Sequence, residues 1–214
     1  ETVYPFKEKI KFTIQTKEAV KFPFHMRIPE WCKSFTLKVN RTNLDVQVKN
    51  GIVVLDREWK HGDKVELDLG MDFRFSYWHE MSLGIERGPL VYALKIKEEW
   101  REVSNDKFDD TFWEIIAQSP WNYSIWNKTV ENVDFKLEIS DKIQPNPWNL
   151  ENAPITVKTK ARRMPIWTEN RNMAGKTPSP SSSYRIVEDN EEEITLIPYG
   201  CTTLRIAQFP IYRK

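Results

Sequence analysis

Apolar side chains recur at every second position through much of the first 95 residues. This period-two pattern buries one face of each segment and is typical of β-strands. The predicted strands lie at residues 10–14, 20–28, 35–39, 44–48, 52–55, 65–69, 71–77, 82–86 and 90–94. Turn signals separate them at roughly ten-residue spacing, and one of these, Asn50-Gly51, suits a type I′ hairpin turn. Short strands at this spacing favour an antiparallel sandwich.

The composition changes after Leu94. Residues 96–110 are dominated by charged side chains, which predicts a linker or an exposed crossover. Strand-sized runs return at residues 112–117, 135–139, 155–161, 184–187, 194–197 and 202–206. We therefore predict an all-β chain of two antiparallel, jelly-roll-like β-sandwich domains in tandem. The first covers residues 1–95 and the second covers residues 111–214.

Charge and composition narrow the classes of function. The 32 Lys and Arg residues nearly balance 31 Asp and Glu residues, which leaves no excess charge for nucleic acid or an anionic membrane. The 7 glycines complete no nucleotide-binding motif. Because no run of about 18 apolar residues occurs, no membrane span is predicted. The chain starts at Glu1, and we expect it to be a piece of a longer protein.

Reactive side chains form no evident catalytic pattern. Cys32 and Cys201 are far apart, so they form either a single disulfide or two separately buried thiols. Glycoside hydrolysis requires a pair of carboxylates, but the run at residues 191–193 is interpreted as a solvated turn. We therefore predict no catalytic residue and no metal ligand in this chain.

The aromatic residues offer a candidate binding site. The chain holds 9 Trp, 11 Phe and 7 Tyr, and several of them fall at residues 119–126. Trp121, Tyr123 and the nearby Trp126 could stack on sugar rings, while Asn122 could hydrogen-bond to hydroxyls. The alternative is that these rings fill a core or a domain seam. Exposure of Trp121 and Tyr123 decides between the two interpretations.

Seven strings resemble, in order, the region after the catalytic barrel in glycoside hydrolase family 127, the β-L-arabinofuranosidase-like family. They are FPFHMRIPEW at 22–31, WKHGD at 59–63, ERGPLVYA at 86–93, SPWNY at 119–123, ENAPI at 151–155, KARR at 160–163 and IPYGCTTLR at 197–205. The resemblance covers nearly the whole chain. It implies two β-sandwich domains that follow an (α/α)6 barrel in the longer enzyme.

The resemblance also sets expectations for function. In relatives, a zinc-bound cysteine and a carboxylate act within the barrel, so zinc is expected there and no catalytic or metal residue is carried over to this chain. The chain is then a non-catalytic accessory portion that supports its own barrel in plant-glycan degradation, in a periplasmic or secreted enzyme. Homodimerisation through a sandwich is a further expectation. The alternatives are a carbohydrate-binding module and a structural or oligomerisation module.

Overall fold

The computed structural model describes residues 1–105, 110–126, 134–179 and 187–212. The prediction of an all-β, sandwich-like fold is confirmed, because the described residues form several antiparallel sheets and only short 3₁₀ turns. The chain forms two compact units: unit 1 comprises Glu1–Phe73 with Arg87–Pro89, and unit 2 comprises Arg74–Glu86 with Leu90–Lys214.

Unit 1 contains two antiparallel sheets. Its strands are β1 (Lys9–Thr13), β2 (Val20–Arg27), β3 (Phe35–Val39), β4 (Thr42–Asn43), β5 (Ile52–Trp59) and β6 (Lys64–Leu69). The strand order is β1-β6-β3-β4 in one sheet, and β2 pairs with β5 in the other. Trp59 is fully buried between these strands and donates its indole N–H to the Phe22 carbonyl oxygen at 3.0 Å. The alternating apolar positions therefore face one shared core, as the period-two pattern predicts.

Two neighbouring predictions in unit 1, a hairpin turn and the strand before it, have different outcomes. Asn50 and Gly51 both have positive φ, and Lys49 and Ile52 exchange backbone hydrogen bonds across the turn, so the predicted turn is confirmed. The predicted strand at residues 44–48 is wrong, because the segment forms no ladder and only Leu44 donates to Leu37, at 2.9 Å. Leu44 and Val46 still pack against the core, whereas Val48 is exposed.

Unit 2 is organised around one nine-stranded sheet. Its strands, including those outside this sheet, are β7 (Phe73–Tyr77), β8 (Leu83–Arg87), β9 (Leu90–Leu94), β10 (Glu98–Asn105), β11 (Asp110–Ala117), β12 (Tyr123–Trp126), β13 (Lys136–Ile139), β14 (Ile155–Arg163), β15 (Glu169–Asn170), β16 (Met173–Ala174), β17 (Glu191–Pro198), β18 (Gln208–Phe209) and β19 (Ile211–Tyr212). Two 3₁₀ turns cover His79–Met81 and Tyr199–Cys201. The main path through the sheet runs β18-β8-β9-β17-β14-β12-β19, with β7 on β8 and β13 on β14. The pairs β10-β11 and β15-β16 form separate hairpins.

The two units divide the chain differently from the predicted boundary at residues 96–110. Strands β8 and β9 belong to the sheet of unit 2, where Leu94 lies opposite Leu196 of β17. The predicted linker itself contains β10, whose eight residues pair with β11. The apolar period-two pattern does not reveal this strand, because a two-stranded ribbon does not require one apolar face along its whole length.

Two further predicted segments differ from the structure. Residues 202–206 form no strand, because the backbone N–H groups of Thr203 and Leu204 bind the Glu98 carboxylate instead of a neighbouring strand. Residues 191–193 lie in β17 and not in a turn, paired with β14. The predicted strand at 184–187 falls mostly outside the described residues.

Candidate functional site

The predicted site at Trp121, Asn122 and Tyr123 lies where the chain enters β12. Tyr123 pairs with Arg163 of β14, and the next residue, Met164, donates its backbone N–H to the Asn122 carbonyl oxygen at 2.8 Å. The site is therefore held by the main sheet of unit 2 on one side. The loop that follows β14 holds it on the other.

Asn122 serves as a structural tie between the two segments. Its side-chain amide donates to the carbonyl oxygens of Met164 and Trp167 at 3.1 and 3.2 Å. Its side-chain oxygen accepts a hydrogen bond of 2.9 Å from Nε of Arg163. Both amide donors are therefore engaged within the protein, so a structural role accounts for an asparagine at this position and no ligand is needed.

Tyr123 is buried and exposes only 6% of its surface. Its hydroxyl donates to Oε2 of Glu192 at 2.5 Å, and the Arg163 guanidinium lies 5.5 Å from the centre of its ring. Burial, followed by the Glu192 carboxylate, raises the pKa of Tyr123 from 10.0 to about 12. The ring therefore has no open face for a sugar, and the hydroxyl stays protonated at neutral pH.

Trp121 is the member of the predicted site that retains accessible aromatic surface. It is half-buried and packs edge to face on the buried Trp167, with ring centroids 5.1 Å apart. It lines two depressions in unit 2, of about 620 and 590 Å³, and Glu169 also lines both. A half-buried ring with charged groups at its margin is suited to a small polar ligand.

Two further tryptophans, both exposed and neither of them a predicted site residue, line a third depression of about 270 Å³ in unit 2. They are Trp100 of β10 and Trp148 of the loop before β14, and they are 51% and 43% exposed. Trp100 was missed because it lies among the charges of the predicted linker. Trp148 was missed because an isolated Trp in a Pro- and Asn-rich loop carries no periodicity.

Both cysteines are free, buried thiols, which decides between the two alternatives left open by the sequence. The thiol of Cys32 donates to the Ser34 carbonyl oxygen at 3.1 Å, and that of Cys201 donates to the Pro147 carbonyl oxygen at 3.3 Å. Burial raises the pKa of both thiols, that of Cys201 to about 11. Protonated thiols of this kind are weak nucleophiles and weak metal ligands.

Within the described ranges, His, Cys, Asp and Glu side chains form no group of three or more that could hold a metal ion. Across the same part of the chain, no helix has the length and apolar character needed to cross a membrane.

Comparison with known proteins supports the resemblance seen in the sequence strings. Residues 1–71 match the family model described as the β-L-arabinofuranosidase, GH127 middle domain. Among solved structures, all of this chain aligns with 30% of a GH127 β-L-arabinofuranosidase from Geobacillus stearothermophilus T6, at 22% identity and a TM-score of 0.61. It also aligns with 32% of a glycoside hydrolase at 24% identity and with 32% of a GH127 β-arabinofuranosidase at 19% identity, both with a TM-score of 0.61.

The chain therefore has the fold of about a third of each of these longer proteins, and its first 71 residues match the middle domain of the family. A search of curated proteins found no sequence match.

Proposed function

We propose that this chain is the non-catalytic β-domain portion of a longer glycoside hydrolase similar to the family 127 β-L-arabinofuranosidases. The observation that carries the proposal is the match of residues 1–71 to the family's middle domain. The alignment of the whole chain with 30 to 32% of longer family structures is consistent with it. In this proposal, catalysis takes place in an (α/α)6 barrel outside the chain, and the β-domains support that barrel.

The cysteines of this chain support the assignment of catalysis to another domain. Zinc is bound by thiolates, whereas Cys32 and Cys201 are buried donors whose pKa values are raised by burial. These residues do not fit a zinc site, so no catalytic step is assigned to them. We propose that the zinc of the longer enzyme is held by residues of the barrel.

The physical role of the β-domains follows from their construction. Each unit has its own sheets and buried core. Such a rigid unit can pack against the apolar helices of a barrel and shield them from water. We further propose a periplasmic or secreted enzyme acting on plant glycans that contain arabinose. A sandwich surface that joins two copies of the enzyme is part of the same proposal.

The experiment compares variants of the longer protein that contains this chain. Zinc-dependent hydrolysis of an aryl β-L-arabinofuranoside is measured for the wild type and for Cys32→Ala and Cys201→Ala, with circular dichroism as a check of folding. We expect both folded variants to keep kcat within about twofold, because neither thiol meets the substrate. Loss of activity in a folded variant would place catalysis within these domains and contradict the proposal.

A second candidate function is glycan binding, favoured by the partly exposed Trp121 at the two depressions described above. Trp121→Ala should weaken binding of arabino-oligosaccharides, as measured by calorimetry. Tyr123→Phe should leave this binding unchanged, because the Tyr123 ring is buried. Equal binding by wild type and Trp121→Ala would exclude this residue from the site.

A further inference from the structure

A small cleft in unit 2 lies between the base of the β10-β11 hairpin and the 3₁₀ turn Tyr199–Cys201. Its volume is about 270 Å³, and Trp100 and Trp148 both line it. The two side chains are 51% and 43% exposed, although Trp is usually buried for most of its surface. What holds these rings in place indicates what the cleft can bind.

Trp148 rests directly on Gly200. A Cβ atom added at Gly200 would lie 3.0 Å from Cε3 and 3.2 Å from Cζ3 of the indole, which is tighter than most side-chain contacts in proteins. The absence of a side chain at position 200 therefore lets the benzene ring of Trp148 approach the backbone. The protein covers one part of the ring in this way and leaves another part accessible.

Trp100 is fixed by a hydrogen-bond network. Its indole N–H donates to Oε2 of Glu98 at 3.2 Å. The other oxygen of Glu98 accepts the backbone N–H groups of Thr203 and Leu204 at 3.1 and 3.0 Å. The ring also meets Trp113 edge to face, with centroids 6.3 Å apart. An exposed ring held in one orientation loses little conformational entropy when a ligand binds to it.

The remaining walls of the cleft are polar and include acidic groups. Glu151 and Thr203 line it with carboxylate and hydroxyl groups. Asn149 also lines it, but its side chain is bound within its own loop, where it donates to the Asn146 carbonyl oxygen at 3.0 Å and accepts the backbone N–H groups of Glu151 and Asn152. Arg205 also lines it, but its Nε donates to the Thr202 carbonyl oxygen at 3.1 Å and its guanidinium lies 4.7 Å from the centre of the Tyr199 ring. Carboxylates disfavour an anionic ligand, while aromatic faces attract the weakly positive C–H groups of a sugar ring. Carboxylate and hydroxyl groups match the hydroxyls at the edge of that ring.

We propose that Trp100 and Trp148 form a stacking site for one or two rings of a neutral glycan, with Glu151 as a hydrogen-bonding partner for its hydroxyls. The site differs from the predicted one, because Trp100 and Trp148 line neither of the two depressions at Trp121. The cleft shares only Thr203 and Arg205 with the 590 Å³ depression. The glycan class rests on these contacts. The choice of an arabinose-containing glycan as the natural ligand rests on the proposed function.

The test is isothermal titration calorimetry on the 214-residue chain with arabino-, xylo- and cello-oligosaccharides. Stacking of one aromatic ring contributes about 0.5–1.5 kcal/mol, so Trp100→Ala and Trp148→Ala should each weaken binding by about twofold to twelvefold. Gly200→Ala should weaken binding by less than Trp148→Ala, because the added methyl group shifts the ring by only a few tenths of an ångström. Trp78→Ala is the matched control, since Trp78 is 57% exposed in the same unit and does not line the cleft.

The outcomes separate this inference from the proposed function. Binding of any oligosaccharide that is weakened by Trp100→Ala and Trp148→Ala, but not by Trp78→Ala, supports the site. Absence of binding across the panel, or equal binding by wild type and both variants, overturns it while leaving the accessory role to the activity assay. A site that accepts xylo- or cello-oligosaccharides but not arabino-oligosaccharides supports glycan binding and contradicts arabinose-containing glycans as the natural ligand.

Discussion

Replacement of Tyr123 by Phe distinguishes a structural role from a ligand-binding role at the predicted site. The variant removes the hydroxyl that donates to Glu192 at 2.5 Å and keeps the buried ring. A hydrogen bond to a charged group contributes about 1.5–3 kcal/mol. Because Glu192 is only half-buried, water can replace part of this bond, and we expect a loss of about 1.5 kcal/mol. For a domain of about 150–250 residues this lowers Tm by roughly 3–6 °C.

The pH dependence gives the same prediction a second readout. The pKa of Tyr123 is raised from 10.0 to about 12, first by burial and then by Glu192. Because the folded pKa lies above the unfolded value, the stabilisation is fully present below about pH 10 and is lost as pH rises through about 12. The stability difference between wild type and Tyr123→Phe should therefore shrink across this window.

The assay is urea unfolding followed by circular dichroism, at pH 7 and at several values above pH 9. Tyr77→Phe is the control, because Tyr77 is 48% exposed and its substitution should change stability by less than about 0.5 kcal/mol. Glu192→Gln retains an acceptor and should cost less than Tyr123→Phe. Unchanged stability in Tyr123→Phe together with weakened oligosaccharide binding would refute the structural interpretation.

Three further predictions concern the fold. Arg87→Met should lower the stability of unit 1 by about 2 kcal/mol in urea unfolding, because Arg87 is buried and paired with Glu8. The control is Lys21→Met at the exposed Lys21–Asp56 pair, whose side chains are 70% and 59% exposed, and an equal effect of the two substitutions would contradict the prediction. Gly51→Ala should cost about 1 kcal/mol in the same assay, because Gly51 has a φ of +72°; an unchanged midpoint would show that the turn tolerates a side chain. The two buried thiols should react with Ellman's reagent at pH 8 only after denaturant is added, and rapid reaction of the native chain would show that at least one of them is accessible.

Much of the fold could be predicted because the strands with one buried face carry period-two patterns. The strands β3 and β6 alternate cleanly, and the Asn50-Gly51 turn has the chemistry its backbone requires. The segment at residues 44–48 shows that a period-two pattern alone does not ensure a strand. Leu44 and Val46 do reach the core, but the backbone of the segment forms no ladder with a neighbouring strand.

The division into units could not be predicted from local pattern. Strands β8 and β9 look like a continuation of the first domain, and only pairing with the distant β17 and β18 assigns them to the second. The hairpin strand β10 is hidden for a different reason. Its charged residues resemble a linker, because both of its faces carry polar groups.

The candidate site illustrates the same limit for side chains. The sequence does not distinguish the exposure of Trp121 from that of Tyr123. In the structure, Trp121 is half-buried, whereas Tyr123 is buried and its hydroxyl donates to Glu192. Which of them faces solvent depends on residues far away in the chain. Glu192 itself was interpreted as part of a solvated turn, because a run of three acidic residues carries no sign of its pairing in β17.

We propose that these domains accompany catalysis in the longer enzyme without performing it. The most direct test is zinc-supplemented hydrolysis of an aryl β-L-arabinofuranoside by the purified 214-residue chain alone. We expect no turnover above the rate in buffer. Turnover that depends on zinc, co-purifies with the chain and disappears in Cys32→Ala or Cys201→Ala would contradict it.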